Sequence, residues 1–268
     1  MSHYPHVERL YLPRVAPTRA RLHAGERDPS LERVLFGELD ERELLAFLIQ
    51  FCALGVRMLR PVESWMRRSG EACVRAGFDE LGAQLLATAP GEARRHLLLI
   101  DDLVQLSALW RDRVDPRGLD LRTLVRREAP ESARRHALIR ELTGDPERPW
   151  LSLGVELELN ELAMALGPRL IRRSGDRLGP EVFAGMRFLQ ARTEYAALNL
   201  ELWLDQLEPM LRCMPHLAGP MAAVGSEAQA AMLDFLISCA DAPCQALREH
   251  TRGGALAKLS KRAKPARA

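Results

Sequence analysis

Apolar positions recur at three- and four-residue spacing along most of the chain, and alternating strand-like runs are missing. This spacing predicts helices near 29–37, 40–70, 77–112, 119–127, 130–143, 150–174, 180–212 and 219–250. The fold class is therefore all-α, a single bundle of about seven to eight helices. Start signals support several boundaries. Asp40 precedes an apolar-periodic run and Glu43 follows three residues later, the pattern of a capping box. Gly179-Pro180 opens the helix that contains FLQARTEYAALNLELW. Pro61, Pro90 and Gly167-Pro168 fall inside predicted helices and should kink or split them. VDPRGLD (114–120) and TGDPERPW (143–150) are turn-rich connections, and the chain divides into two helical halves near residue 145.

Several predicted helices carry polar groups inside apolar stripes. In FLQARTEYAALNLELW the stripe runs Leu189, Thr193, Ala196, Leu200, Trp203, and Arg192, Tyr195 and Asn199 border it. In the preceding half, Glu92 and His96 interrupt the series Leu85, Ala89, Leu99, Leu103, Leu106, Trp110. They are four residues apart, so their side chains are expected to be neighbours on one face. A carboxylate beside an imidazole can orient it, raise its basicity or share a metal with it. In WLSLGVELELNELAMALG the helix is apolar nearly all round, yet holds Glu156, Glu158, Asn160 and Glu161. At least one of Glu158, Asn160 and Glu161 must face inward, and a buried acid needs a partner, for which Arg192 is the natural candidate. Such a group makes either a polar pocket or a structural Glu–Arg pair.

Composition narrows the function classes. The apolar share of 47% is ordinary for a protein with a real core. No apolar run approaches the ~20 residues needed to cross a bilayer, and MSHYPHVERLYLPRVAP is charged and proline-broken, unlike a signal peptide. A cytoplasmic location is the default expectation. The net charge of +2 gives no support to nucleic-acid binding. All the lysines (Lys258, Lys261, Lys264) sit in the final stretch RGGALAKLSKRAKPARA, a weakly basic tail. The expected organisation is thus a helical domain over 1–250 and a disordered tail over 251–268. Cys52, Cys73, Cys213, Cys239 and Cys244 form no CxxC pair and read as reduced thiols. No nucleophile elbow, P-loop, dinucleotide fingerprint or HExxH is present, and His3, His6, His23, His136, His216 and His250 lie at termini or on charged segments and read as surface residues.

The order of these segments resembles the heme-oxygenase-like superfamily, which includes pyrroloquinoline-quinone synthase, the TenA thiaminases and heme-oxygenase-like di-iron oxidases. LFGELDERELLAFLIQF resembles its opening turn and long helix, and RRHLLLIDDLVQL its second-helix signature. LGVELELNELAMALGPRLIRRSGDRLG resembles its central helix. FAGMRFLQARTEYAALNLELW resembles its penultimate helix, which in metal-binding members reads FL-x-x-H-x-x-x-D-x-x-H. The likeness covers roughly residues 30 to 210 and implies a heme-oxygenase-like helical bundle, in the company of iron-containing redox enzymes and natural-product biosynthesis. The implied ligand positions fall on Arg192, Ala196 and Asn199, so all are replaced. On the earlier helix they fall near Thr88, on Gly91 or Glu92, and on Arg95 or His96. The proximal histidine of a heme oxygenase would have to be His23.

Three functional readings follow. In the first, the former metal cavity is a polar pocket for a small anionic metabolite, which it binds and either holds or oxidises with O₂ without a di-iron centre. His96 is then the acid–base residue held by Glu92, and Arg192, Asn199, Glu158, Glu161 and Tyr195 bind substrate. In the second, the chain is a non-catalytic partner or scaffold of an active homologue, or carries a peptide substrate; a homodimer is the default oligomeric state. In the third, it is an iron-dependent oxidase with a site made from Glu92, His96 and Glu161. The first two readings expect no cofactor and the third expects iron. None involves a membrane.

Overall fold

The capping box at Asp40 forms as its sequence requires: the Glu43 backbone N–H donates to Asp40 Oδ1 at 2.7 Å, and the Asp40 N–H donates to Glu43 Oε2 at 3.4 Å. It starts the central helix α3 of a computed structural model that describes residues 3–22, 29–37, 39–241, 243–248 and 250–251. The helices are α1 (Leu12–Ala20), α2 (Pro29–Phe36), α3 (Glu41–Leu59), α4 (Val62–Arg75), α5 (Asp79–Glu92) and α6 (Arg95–Arg113). They continue with α7 (Leu121–Val125), α8 (Glu131–Leu142), α9 (Leu151–Leu178), α10 (Arg187–Cys213), α11 (Ala218–Ala240) and α12 (Pro243–Arg248). A π-helical turn, Val7–Tyr11, leads into α1. No strand occurs among the described residues; a lone antiparallel bridge joins Leu119 and Thr251. The basic tail beyond Thr251 lies outside the described residues, as does His23.

Pro61 and Pro90 act as expected. Pro61 separates α3 from α4, and Pro90 sits in the last turn of α5. Pro168 does not split its helix: α9 runs through it without a break, with Pro168 exposed. Pro180 opens a short 3₁₀ turn (Pro180–Gly185) rather than α10 itself. The long helix α10 starts at Arg187, where Asp102 of α6 caps it from across the bundle. The Asp102 carboxylate accepts from the Arg187 and Phe188 backbone N–H groups at 2.9 and 2.8 Å.

Helix α9 is the axis. It packs against α10 on one side and α11 on another, with α2, α3 and the 3₁₀ turn along its length. Backbones of α9 and α11 meet at Gly154 and Gly225; a Cβ on Gly225 would lie 2.6 Å from the Gly154 carbonyl oxygen. A larger core joins α3, α6, α9 and α11 around Phe47, Phe51 and Phe235, and a smaller one gathers Tyr11, Trp65, Leu85, Leu153 and Trp203. The stretch from α3 into α4 (Glu41–Arg75) is long and apolar enough to cross a membrane, but 72% of its most apolar window is buried inside the protein, so it is a core helix.

The N-terminal segment, read from sequence only as charged and proline-broken, is helical and strapped to the smaller core. Val7, Tyr11 and Val15 are buried at intervals of four. That spacing is a legible stripe, hidden by the prolines at positions 13 and 17.

Candidate functional site

The polar residues of α9 point two ways. Glu156 and Asn160, one turn apart, face α8 and α10; Glu158 and Glu161 face the N-terminal strap. The second group closes on itself. Glu158, fully buried, accepts from the Tyr11 hydroxyl at 3.1 Å and from Arg19 Nη2 and Nε at 2.7 and 2.9 Å. Arg19 Nη1 also reaches Glu161 at 3.0 Å. Glu158 and Glu161 therefore form the structural Glu–Arg pair left open by the sequence, but with Arg19 rather than Arg192. Neither lines the chamber on the other side of α9.

The first group borders a chamber of about 120 Å³ lined by residues of α3, α4, α5, α6, α8, α9, α10 and α11. Most of its wall is apolar, including Phe51, Leu99, Leu162, Leu166, Phe188 and Leu236. Its polar side is Glu92, Arg95, His136, Arg140, Glu156 and Arg192. Glu156 is paired with Arg140, both buried. Glu92 stands 3.0 Å from Arg95 Nη1, an ion pair by distance though that N–H is not aimed along a hydrogen bond. Burial raises the Glu92 carboxyl above its ordinary value, against the pull of Arg95 and Arg192. Arg192 differs from the other two arginines. Its hydrogen bond, 2.7 Å long, goes to the neutral Asn160 Oδ1, whose own amide nitrogen donates to the Glu156 carbonyl at 2.9 Å. Burial lowers the Arg192 guanidinium from its usual value, with Glu92 and Glu156 acting the other way.

Tyr195 supports this side. Arg95 Cζ lies 4.2 Å from its ring centroid and Arg192 Cζ 5.2 Å, so the phenol packs against two guanidinium groups. Burial pushes its hydroxyl up to about 12, which keeps it neutral. It stands behind Arg192 and Arg95 rather than in the chamber wall.

The Glu92–His96 pair does not form. Glu92 is the last residue of α5 and His96 lies in the first turn of α6, so the helical face that would have joined them is broken at the junction. Arg95 takes the position beside Glu92, and His96 is half-buried away from the chamber wall. Asn199 donates back to the Tyr195 carbonyl at 2.8 Å and is likewise off the wall.

His136, read as a surface residue, is 1% exposed and lines the chamber. With Arg140 it forms a polar pair one turn apart on α8, set among the buried Ala133 and Ile139. The same stripe rule that singled out Glu92 and Arg192 would have found it; the charged neighbours Arg134, Arg135 and Glu141 hid it. Burial, then the nearby Arg140, lowers its imidazole to about 3, so it is neutral at physiological pH.

The donor set does not fit a di-iron centre. Among the described residues no group of three or more His, Cys, Asp and Glu side chains converges. Glu161 is held by Arg19, His96 is apart from Glu92, and Arg192, Ala196 and Asn199 put a cation, a methyl and an amide where the resemblance implied metal ligands. Three guanidinium groups on the chamber wall would oppose a metal cation.

No family model and no curated protein sequence matches the chain. Among solved structures, a domain of unknown function with a heme oxygenase-like fold from Shewanella denitrificans OS217 is similar over 88% of this chain and 91% of its own, with a TM-score of 0.64 at 12% identity. The chain adopts the heme-oxygenase-like, all-α fold.

Proposed function

We propose that the chamber binds a small organic monoanion with an apolar body, anchored on Arg192. The observation that carries this is the charge balance of the wall. Three guanidinium groups (Arg95, Arg140, Arg192) face two carboxylates (Glu92, Glu156), and the arginine left without a carboxylate is the one held only by an amide. One carboxylate on a ligand neutralises that surplus and gives Arg192 a charge-assisted partner. A dianion would overshoot it. The volume sets the size. A cavity of ~150 Å³ holds a benzene ring, so about 120 Å³ sets one ring as the upper bound of the body and suits a short aliphatic chain.

An open chamber favours a ligand-binding protein over a packed-shut scaffold for an active homologue. The donor set speaks against the iron-dependent oxidase. A cytoplasmic location is part of this reading, and the five free cysteines support it.

The test is calorimetric titration with benzoate and hexanoate, with benzylamine as the cationic control. Benzoate and hexanoate should bind, benzylamine should not, and Arg192→Met should weaken the acids by about 10- to 100-fold, the worth of a charged hydrogen bond. Equal binding by wild type and Arg192→Met, or no binding of either acid, would sink the proposal. Product analysis of the same mixtures under O₂ separates a carrier from an enzyme.

A further inference from the structure

Helix α6 has two apolar faces. The inner one carries Leu99, Leu103, Leu106 and Trp110, all buried against the bundle. The outer face of such a helix is ordinarily polar. Here Leu97, Ile100 and Val104, at intervals of three and four, stand 40%, 38% and 49% exposed, and Ala108 continues their line one turn further on. Among the described residues no other helix exposes three large apolar side chains in one line. Single exposed apolar residues are normal on a surface, whereas a contiguous patch marks an interaction site.

The charges beside the stripe say what covers it. Arg94, Asp101, Gln105 and Asp112 stand exposed along one rim. Arg94 and Asp112 are eighteen residues apart, about five turns, so they share that rim at opposite ends. Among the described residues Arg94 and Asp101 make no ion pair, and Asp112 is paired with its neighbour Arg111 at 3.2 Å. Consider a second α6 laid antiparallel on the first, with a two-fold axis through the midpoint of the stripe, between positions 102 and 103. Leu97 then faces Ala108 of the other copy, and Ile100 packs beside its Val104. The same axis, set by the apolar residues alone, brings Arg94 within one residue of the other copy's Asp112, and Asp101 within one residue of its Gln105. This two-fold keeps each rim on its own side, so Arg94 and Asp112 meet twice, once at each end. Arg111 is turned ~100° from Asp112, toward the opposite rim. A parallel arrangement would set Arg94 on Arg94, Asp101 on Asp101 and Asp112 on Asp112, which like charge disfavours.

We infer that the outer face of α6 binds a second copy of this chain, helix against antiparallel helix, with Leu97, Ile100 and Val104 at the centre and an Arg94–Asp112 pair at each end. The inference is independent of the chamber, whose wall takes Arg95 and Leu99 from the other side of the same helix. One helix face is small beside the ~800 Å² per partner of a standard interface, so the dimer is a reversible one.

Sedimentation equilibrium of the full chain tests this. Between about 5 and about 500 µM the weight-average mass should climb from 30.1 kDa toward twice that value. Val104→Asp sets two carboxylates close to the axis and should hold the mass at the monomer value throughout. Its position is half exposed, so the fold should survive, which circular dichroism checks. Should it fail to fold, the rim variants decide alone. Arg94→Glu and Asp112→Arg should each weaken association about three- to tenfold, the worth of two exposed ion pairs, and the double variant should restore it. Reversal restores association only where the two residues meet across the interface, since within one chain they sit about five turns apart. A chain that stays monomeric at every concentration, whatever else covers the stripe, overturns the inference. So does a dimer indifferent to Val104→Asp, which uses another face, and so does a double reversal no better than the single ones, which means another pairing of the helices.

Discussion

Helix α9 carries two arginine–glutamate clusters on opposite sides, and they do opposite things. On the side of the N-terminal strap, Glu158 is fully buried and every carboxylate oxygen has a donor, from Tyr11 or Arg19. It does not line the chamber. On the other side Glu92, Glu156, Arg95, Arg140 and Arg192 face a chamber, one positive charge is in surplus, and polar atoms of His136 and Arg140 lack partners. The residue types are the same. Buried charge alone therefore does not nominate a candidate site; leftover charge beside empty volume does.

The largest expected effect breaks the closed cluster. Arg19→Met strands Glu158 in the interior with only the Tyr11 hydroxyl. Removing one member of a buried pair costs about 3–5 kcal/mol. Urea denaturation should show the loss, with the midpoint falling and the strap at 3–20 losing protection from hydrogen exchange. Benzoate affinity of the molecules that remain folded should be unchanged. A drop in affinity equal to that of Arg192→Met would show that the two clusters are one.

The sequence made the architecture readable because helical periodicity is a local signal, and the proline breaks at 61 and 90 and the cap at Asp40 are local chemistry. It also marked Glu92, Arg192 and Tyr195, polar groups set in apolar stripes. What it could not show was pairing. Glu158, Glu161 and Arg192 looked like one group because they share an interior. Which acid meets which arginine depends on the rotation of α9 against a strap some 140 positions away in sequence, and the strap itself was not recognised. Likewise Glu92 and His96 obeyed the i,i+4 rule on paper, but the rule holds only within an unbroken helix, and the break lies between them. Asp102 looked like part of a family signature; its work is to cap α10 from another helix, a contact no linear pattern displays.

The next effect sharpens the open cluster through pH. The His136 imidazole is lowered from 6.5 to about 3 in the folded protein by burial and by Arg140. The fold therefore favours the neutral form. Its contribution to stability is complete above the unfolded value of 6.5 and is lost as pH falls toward about 3. Across the first one and a half units below 6.5 that amounts to about 2 kcal/mol. Glu92 has the opposite sign. Its carboxyl is raised by burial, so its contribution is present below the ordinary carboxylate range and lost as pH climbs through the raised value. Stability of the wild type from pH 7 to 5 should decline more steeply than that of His136→Phe. Equal slopes would mean that the imidazole is not held neutral in the interior.

The smallest effect is the most discriminating, because its sign differs between the clusters. Arg192→Met replaces a buried guanidinium by an apolar side chain that fits the Leu162–Leu166 wall. The lost hydrogen bond to Asn160 costs about 1 kcal/mol. Against this stands the desolvation cost of a cation that has no carboxylate of its own, which the exchange relieves. In the absence of ligand, Arg192→Met should therefore melt at or slightly above the wild type, about 1 kcal/mol more stable. Arg19→Met, the same exchange on the other side of α9, should be strongly destabilised. Adding benzoate should reverse the order at Arg192, since only the wild type gains from binding. A residue that weakens the empty protein and strengthens the loaded one is retained for its ligand. If Arg192→Met instead loses several kcal/mol without ligand, Arg192 is a structural member like Arg19, and the asymmetry between the two sides of α9 disappears.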